Sequence, residues 1–344
     1  MHEQQELTAL VNAANADLND PARTRVMRAQ PGDTPRFELY HAGLSMCSQK
    51  VRAVLAEKGV PYVSHEMTIV ASRGIWSADF RPAENYRPSY VRLRLHGGKL
   101  LDRPFAQTHT GRSSFETEGF DPCVVPLLVD HQAGQSIVDS MRICAHLDRE
   151  LPQPPRLIPA EPDAAAAVLQ QAAIVDRTPH PAVLYGFHPD DDQRPDFIKA
   201  VMQEVYEAKC EQLEMLIAAN RDEAELVSAY ESKIAKEQAG RRLARDHDFQ
   251  RRIRAELDRI IATLDNDLGR QSGAWLCGAD YSLADLMWGI SLYRLQWLGL
   301  AKLWQNRPLV RAYADRVYRR PSVWQDVIHW PSPMPPSPHT ADVV

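Results

Sequence analysis

Apolar residues follow two rhythms along this chain, and the change from one to the other divides it into an α/β half and an all-helical half. Phe37 and Leu39 lie in a short apolar run that reads as a strand. After a connection at 41–45, a helix is expected over 48–57, ending where Gly59 can supply a left-handed C-cap. A strand at 62–70 follows, so strand, helix and strand come in the order that builds a parallel pair. Residues 71–122 show little periodicity, although Tyr86, Tyr90, Val91, Leu93 and Leu95 stand among polar neighbours. A short helix and then a long inserted loop are expected there. Val124, Val125, Pro126, Leu127, Leu128 and Val129 mark the next strand, followed by a turn at 130–135, a strand at 136–138 and a helix at 140–150.

Beyond this point the spacing becomes helical. Pro152, Pro154, Pro155, Pro159 and Pro162 mark a linker at 151–163. Segments 164–176, 195–220, 223–265 and 282–300 then carry apolar faces with a 3.6-residue period, interrupted by a Pro- and Asp-rich turn at 178–194. The expected units are an N-terminal arm at 1–34, an α/β domain at 35–150, the linker, an all-helical domain at 164–330, and a disordered tail at 331–344. The arm reads as a short amphipathic helix, with Leu7, Leu10, Val11 and Leu18, followed by a polar linker. The tail carries Pro331, Pro333, Pro335, Pro336 and Pro338.

Composition agrees with two ordinary globular domains. The 344 residues are 44% hydrophobic and 25% charged, enough to bury a core without disulfides or metal. A net charge of -5 gives no general attraction to nucleic acid or an anionic membrane. The densest basic stretch, 241–254, alternates with Asp246 and Asp248 and reads as a solvated helix face. No run of apolar residues is long enough to span a bilayer, and the first residues lack the pattern of a signal peptide, so a cytoplasmic location is expected. Five scattered cysteines, with no C-x-x-C pair and no zinc-like spacing, argue against structural disulfides and against a metal site.

Cys47 differs from the other four by position. Ser45-Met46-Cys47-Ser48-Gln49-Lys50 lies between the first strand and the first helix, where unpaired N–H groups and the helix dipole favour an anion. A thiol there, beside Lys50, is placed to act as a thiolate nucleophile. Spacing alone leaves equal room for a plainer reading, in which Ser45 or Ser48 caps the helix and Cys47 packs. Pro126 cannot donate to a sheet ladder and marks a strand end, an edge or a cis turn. A cis bond there would turn the N–H and C=O of Val125 outward toward a peptide-like ligand. Asp139 and Ser140 open another helix and offer a second anion site, or simply its N-cap.

Together these features resemble the cytosolic glutathione transferases, and Tyr281-Ser282-Leu283-Ala284-Asp285 looks like the buried capping box of that superfamily. The likeness covers about residues 36–330. Within the superfamily, several segments are similar to the glutathione-dependent reductive dehalogenases of chlorinated hydroquinones. They include Ser45-x-Cys47-Ser48-x-Lys50, Glu84-Asn85-Tyr86, Tyr90-Val91-Arg92-Leu93, Val124-Val125-Pro126, and the loop residues Arg112, Ser113, Ser114 and 118–122.

The resemblance implies a thioredoxin-like N-terminal domain, a helical-bundle C-terminal domain, a homodimer, and glutathione as co-substrate with an aromatic small molecule as its partner. Ser45 would hold the glutathione sulfur as thiolate and Cys47 would act as a second nucleophile. Lys50, Val125, Pro126, Asp139 and Ser140 would form the glutathione site. Trp288, Tyr293 and Trp297 would wall the substrate pocket, with His180 a candidate for proton transfer. The reaction expected is reductive dehalogenation through an aryl thioether and a Cys47–glutathione mixed disulfide. Two other readings stay open: a glutathione lyase or β-etherase-like transferase acting on aryl thioethers or ethers, and a non-catalytic thiol-binding or redox-sensing module.

Overall fold

A computed structural model describes residues 2–18, 20–73, 79–112, 115–331 and 336–343. Among the described residues, five strands form one sheet: β1 (Thr24–Met27), β2 (Phe37–His41), β3 (Tyr62–Glu66), β4 (Leu127–Asp130) and β5 (Gln135–Val138), in the order β1-β3-β2-β4-β5. Only β2 and β3 run parallel, with Phe37 opposite Tyr62. The other neighbours are antiparallel. Helices α1 (His2–Asp17), α2 (Met46–Lys58), α3 (Pro88–Gly98), α4 (Phe115–Glu118) and α5 (Ser140–Glu150) belong to this half.

The period-two alternation of the strands sorts their side chains onto two faces. Phe37, Leu39, Leu128 and Ile137 join α2, α5 and the helical half in one core. Tyr40, Leu127, Val129 and Val138 pack with residues of α1 and α3 in a second core. Gly59 closes α2 at φ 62°, and its N–H reaches the carbonyl of Ala56. Both the Val125-Pro126 and Pro154-Pro155 peptide bonds are cis.

The helical half comprises α6 (Pro162–Asp176), α7 (His180–Tyr185), α8 (Asp196–Ala219), α9 (Ala224–Arg245), α10 (His247–Arg270), α11 (Leu283–Trp297), α12 (Pro308–Tyr318) and the single turn α13 (Pro321–Val323). Helix α11 runs through its centre and packs on both α6 and α2. Its start is a capping box: Asp285 accepts from the Ser282 N–H at 2.9 Å and also from the Leu276 N–H and the Tyr313 hydroxyl.

Three expectations need correction. The arm at 1–34 is part of the fold. Leu7, Val11 and Ala14 of its helix and Leu18 just beyond it are buried, and Thr24–Met27 adds an antiparallel edge strand to β3. That strand is four residues long, with two polar residues followed by two apolar ones, and is only partly covered, so it leaves no alternating apolar signature. Within segment 71–122, α3 is the short helix, with Tyr90, Val91, Leu93 and Leu95 buried, and most of the other described residues there are irregular. The helical segment 223–265 is two helices. They separate at Asp246, whose carboxylate accepts from the Phe249 N–H at 2.9 Å and so starts α10. The described tail residues are ordered: Ser337 donates to the Trp297 carbonyl at 2.6 Å, and Pro338–Val343 form a 3-10 turn. Ser113, Ser114, Pro333 and Pro335 lie outside the described residues. Among the described residues no helix is long and apolar enough to cross a membrane.

Candidate active site

Helix α2 begins at Ser45, whose extended backbone lets its side-chain oxygen accept the Ser48 N–H at 3.3 Å. A hydroxyl that accepts in this way keeps its own hydrogen to donate. Ser48 in turn accepts from the Ala42 N–H at 3.2 Å, which pins the loop leading into the helix. Cys47 follows in the first turn and is half-buried.

Two buried cations stand beside that turn, one from each half of the molecule. The side chain of Lys50 is 0% exposed, and its Nζ lies 3.0 Å from Oδ1 of Asp176 at the end of α6. Burial works against its charge, but Asp176 and then the Cys47 sulfur more than offset this and hold the ammonium above its ordinary range. Arg294 of α11 donates to the Leu44 carbonyl and, at 3.4 Å, to the Gln49 amide oxygen. Burial lowers its pKa, and charge on Tyr293 and Cys47 works in the opposite direction. The Cys47 sulfur therefore lies in the field of both cations.

The second helix start faces the same cavity. Asp139 caps α5 at φ 75°, an unusual conformation for a residue with a side chain. It is held there by Oδ1, which accepts the N–H groups of Met141 at 3.0 Å and Arg142 at 3.3 Å. Burial and then the Asp176 charge push its carboxyl above the usual range. The β4 ladder begins at Leu127, so the N–H and C=O of Val125 lie outside it. Ser45, Cys47, Val125, Pro126, Asp139 and Ser140 all line one cavity of about 1020 Å³ between the two halves.

Residues 44–150 match the family described as "Glutathione S-transferase, N-terminal domain". The chain is 41% identical over 315 residues to 2,5-dichlorohydroquinone reductive dechlorinase of Sphingobium indicum, covering 91% of this chain and 88% of that protein. The chain belongs to the glutathione S-transferase family. This transferase is also 24% identical to tetrachloro-p-hydroquinone reductive dehalogenase of Sphingobium chlorophenolicum, over 84% of this chain and 94% of that one. The β-etherase LigF of Sphingobium sp. strain SYK-6 shares its fold, with a TM-score of 0.56, 18% identity, and coverage of 86% of this chain and all of that one.

The transferase uses its aromatic residues differently from the expectation. Trp288 is in the core, with its indole N–H donating to Gln171 at 3.1 Å, and Tyr293 packs edge-on to Tyr318 at 5.9 Å. Neither lines the cavity, whereas Trp297 does. Lys50 is also sealed beneath the cavity wall, so it reaches the site through its field and not by contact. His180 does line the cavity, at the start of α7. Its Nε2 pairs with the Ser291 hydroxyl at 2.9 Å, while its buried Nδ1 has no partner among the described residues. Burial, then Lys50 and Arg294, hold its pKa well below the usual histidine range, so the imidazole is neutral.

Sequence reasoning missed Arg294 and the partner of Lys50, Asp176. The spacing of Arg294 and Trp297, three apart on one helix, could have nominated the first. No local signal could have found the second, which lies 126 positions from Lys50.

Proposed function

We propose that this transferase removes chlorine from chlorinated hydroquinones reductively, using glutathione as the thiol. The observation that carries the reading is the spacing of Ser45 and Cys47 on the first turn of α2, which brings a hydroxyl donor and a thiol to one cavity. It is supported by the 41% identity to a reductive dechlorinase. The site's chemistry suits a γ-glutamyl tripeptide. The backbone groups of Val125 can pair with the peptide, the Asp139 carboxylate with Ser140 can take its charged amino-acid end, and the Ser45 hydroxyl can donate to its sulfur.

In the first step the hydroquinone, as its keto tautomer, is attacked by glutathione thiolate. A C–S bond forms, chloride leaves with the C–Cl electron pair, and the proton on that ring carbon returns to the carbonyl oxygen, giving an aryl thioether. Next, the Cys47 thiolate attacks the thioether sulfur. An S–S bond forms, the C–S bond breaks toward the ring, and the ring carbon takes a proton, which releases the dechlorinated hydroquinone. A second glutathione thiolate displaces Cys47 from the mixed disulfide and leaves oxidised glutathione. Two thiols are thus oxidised for each chloride removed.

Lys50 and Arg294 stabilise negative charge on the Cys47 sulfur in this scheme, and Trp297 and His180 flank the substrate. Because the reaction consumes reduced glutathione, a cytoplasmic enzyme of aromatic degradation fits it, and the family's homodimer is the assembly we assign. The test is chloride release from 2,5-dichlorohydroquinone with glutathione. The expected result is one oxidised glutathione per chloride, and absence of chloride release rejects the proposal.

A further inference from the structure

The helical wall of the cavity carries charges that the scheme above leaves idle. Lys209 of α8 lies 3.1 Å from Glu237, Glu237 lies 2.9 Å from Lys233 on the same helix, α9, and Lys233 lies 2.9 Å from Asp121. Lys236 is 3.2 Å from Asp121 and 2.9 Å from Glu118. Most of these side chains are buried, yet Lys209, Lys233 and Glu237 also border the cavity. A buried ion-pair chain is a poor way to gain stability compared with apolar packing, because each charge must be desolvated. Such a chain beside a cavity points to function.

Tyr185, at the last position of α7, is the uncharged end of this chain. Lys209 Nζ donates to its hydroxyl oxygen at 3.3 Å and stands 4.8 Å from its ring centroid. An ammonium has only hydrogens to offer, so the Tyr185 oxygen is the acceptor and its own hydrogen is left to point away from Lys209. Tyr185 is only partly buried and borders the same cavity as Cys47 and Arg294. Burial opposes the charge on Lys209, and Glu237 followed by Tyr185 more than restores it, so the ammonium persists. Tyr293, the tyrosine that helical spacing nominated for contact with a phenol, is turned into the core.

We infer that Tyr185, oriented by Lys209, donates a hydrogen bond to a phenolic oxygen of the aromatic substrate. For the chemistry this rests on the dehalogenation reading. A donor at that oxygen favours the keto form, in which the carbonyl polarises the neighbouring chlorine-bearing carbon that glutathione thiolate attacks, and it stabilises the partial negative charge shared with the oxygen while chloride is displaced. Tyr185 is then a catalytic residue, and Lys209 a positioning residue that fixes which way the hydroxyl points.

The test separates binding from turnover. Wild type and Tyr185→Phe are titrated with 2,5-dichlorohydroquinone and with 1,4-dichlorobenzene, which keeps the ring and both chlorines but has no oxygen to accept from Tyr185. Glutathione affinity serves as the control for folding. Wild type is expected to prefer the hydroquinone by roughly tenfold, and Tyr185→Phe to lose that preference with unchanged glutathione affinity. Chloride release by Tyr185→Phe is expected to fall about a hundredfold. Lys209→Met should lower chloride release as well, with recovery in Lys209→Arg. Equal binding of the two ligands by wild type, or a preference that survives in Tyr185→Phe, overturns the inference. If wild type shows the preference but releases no chloride, the phenol site stands and the dehalogenase reading falls.

Discussion

Replacing Asp176 by Asn removes the carboxylate that faces Lys50 but keeps the size of the side chain. The ammonium is then left fully buried, with its Nζ no longer 3.0 Å from an opposite charge. Removing one member of a buried pair costs about 3–5 kcal/mol, because the remaining charge loses its compensation. Unfolding entropy of ~2.1 cal/mol/K per residue gives roughly 0.7 kcal/mol/K for a chain of 344 residues, so Tm should fall by about 4–7 °C. The Lys50 pKa is raised above its ordinary 10.5, so the stabilisation is complete below that value and disappears only as pH rises beyond it. A calorimetric scan at neutral pH therefore reads it in full. The double variant Lys50→Met/Asp176→Leu removes both charges, and it should regain most of the lost Tm, since an apolar pair of similar size is nearly neutral there. A single variant as stable as wild type, or a double variant no better than the single, would refute this reasoning.

Other outcomes follow from the same geometry. Asp285→Ala leaves the Ser282 and Leu276 N–H groups and the Tyr313 hydroxyl without their shared acceptor, and should cost at least ~3 kcal/mol in urea unfolding. A loss below about 1 kcal/mol would contradict the capping assignment. Trp288→Ala should destabilise by ~3–5 kcal/mol as a core truncation, whereas Trp297→Ala should act mainly on substrate KM. The reverse pattern would return Trp288 to the cavity wall. Because the Asp139 carboxyl is raised by burial, it takes up a proton at higher pH than an ordinary carboxyl. Glutathione affinity measured by calorimetry should therefore weaken early on acidification in wild type, and Asp139→Asn should be weak throughout with little pH dependence.

Much of this architecture is legible because it is local. The strand-helix-strand order, the Gly59 cap, the placement of Ser45 and Cys47 and the capping box of α11 each depend on a few consecutive residues, and each leaves a local pattern. What the sequence conceals is decided at long range. Thr24–Met27 becomes a strand only because β3 offers an open edge. The burial of Arg94 in α3 is equally remote from its local sequence, because it depends on the Pro126 and Asp121 carbonyls that accept from it. Helical spacing put Trp288, Tyr293 and Trp297 on one face, yet α11 is covered almost all round, so periodicity could not say which of them meets the cavity. The chain from Asp121 through Lys233, Glu237 and Lys209 to Tyr185 joins four separate segments, and none of these residues is unusual in its own neighbourhood.

In the proposed reaction, Cys47 resolves an aryl thioether formed with glutathione. The most direct test of this step is a product analysis of Cys47→Ser, incubated with 2,5-dichlorohydroquinone and glutathione and followed by mass spectrometry alongside chloride release. Chloride should still be released, and the glutathionyl hydroquinone should accumulate in place of the dechlorinated product. If Cys47→Ser yields the dechlorinated hydroquinone as wild type does, or releases chloride with no thioether detectable, the two-thiol account is wrong.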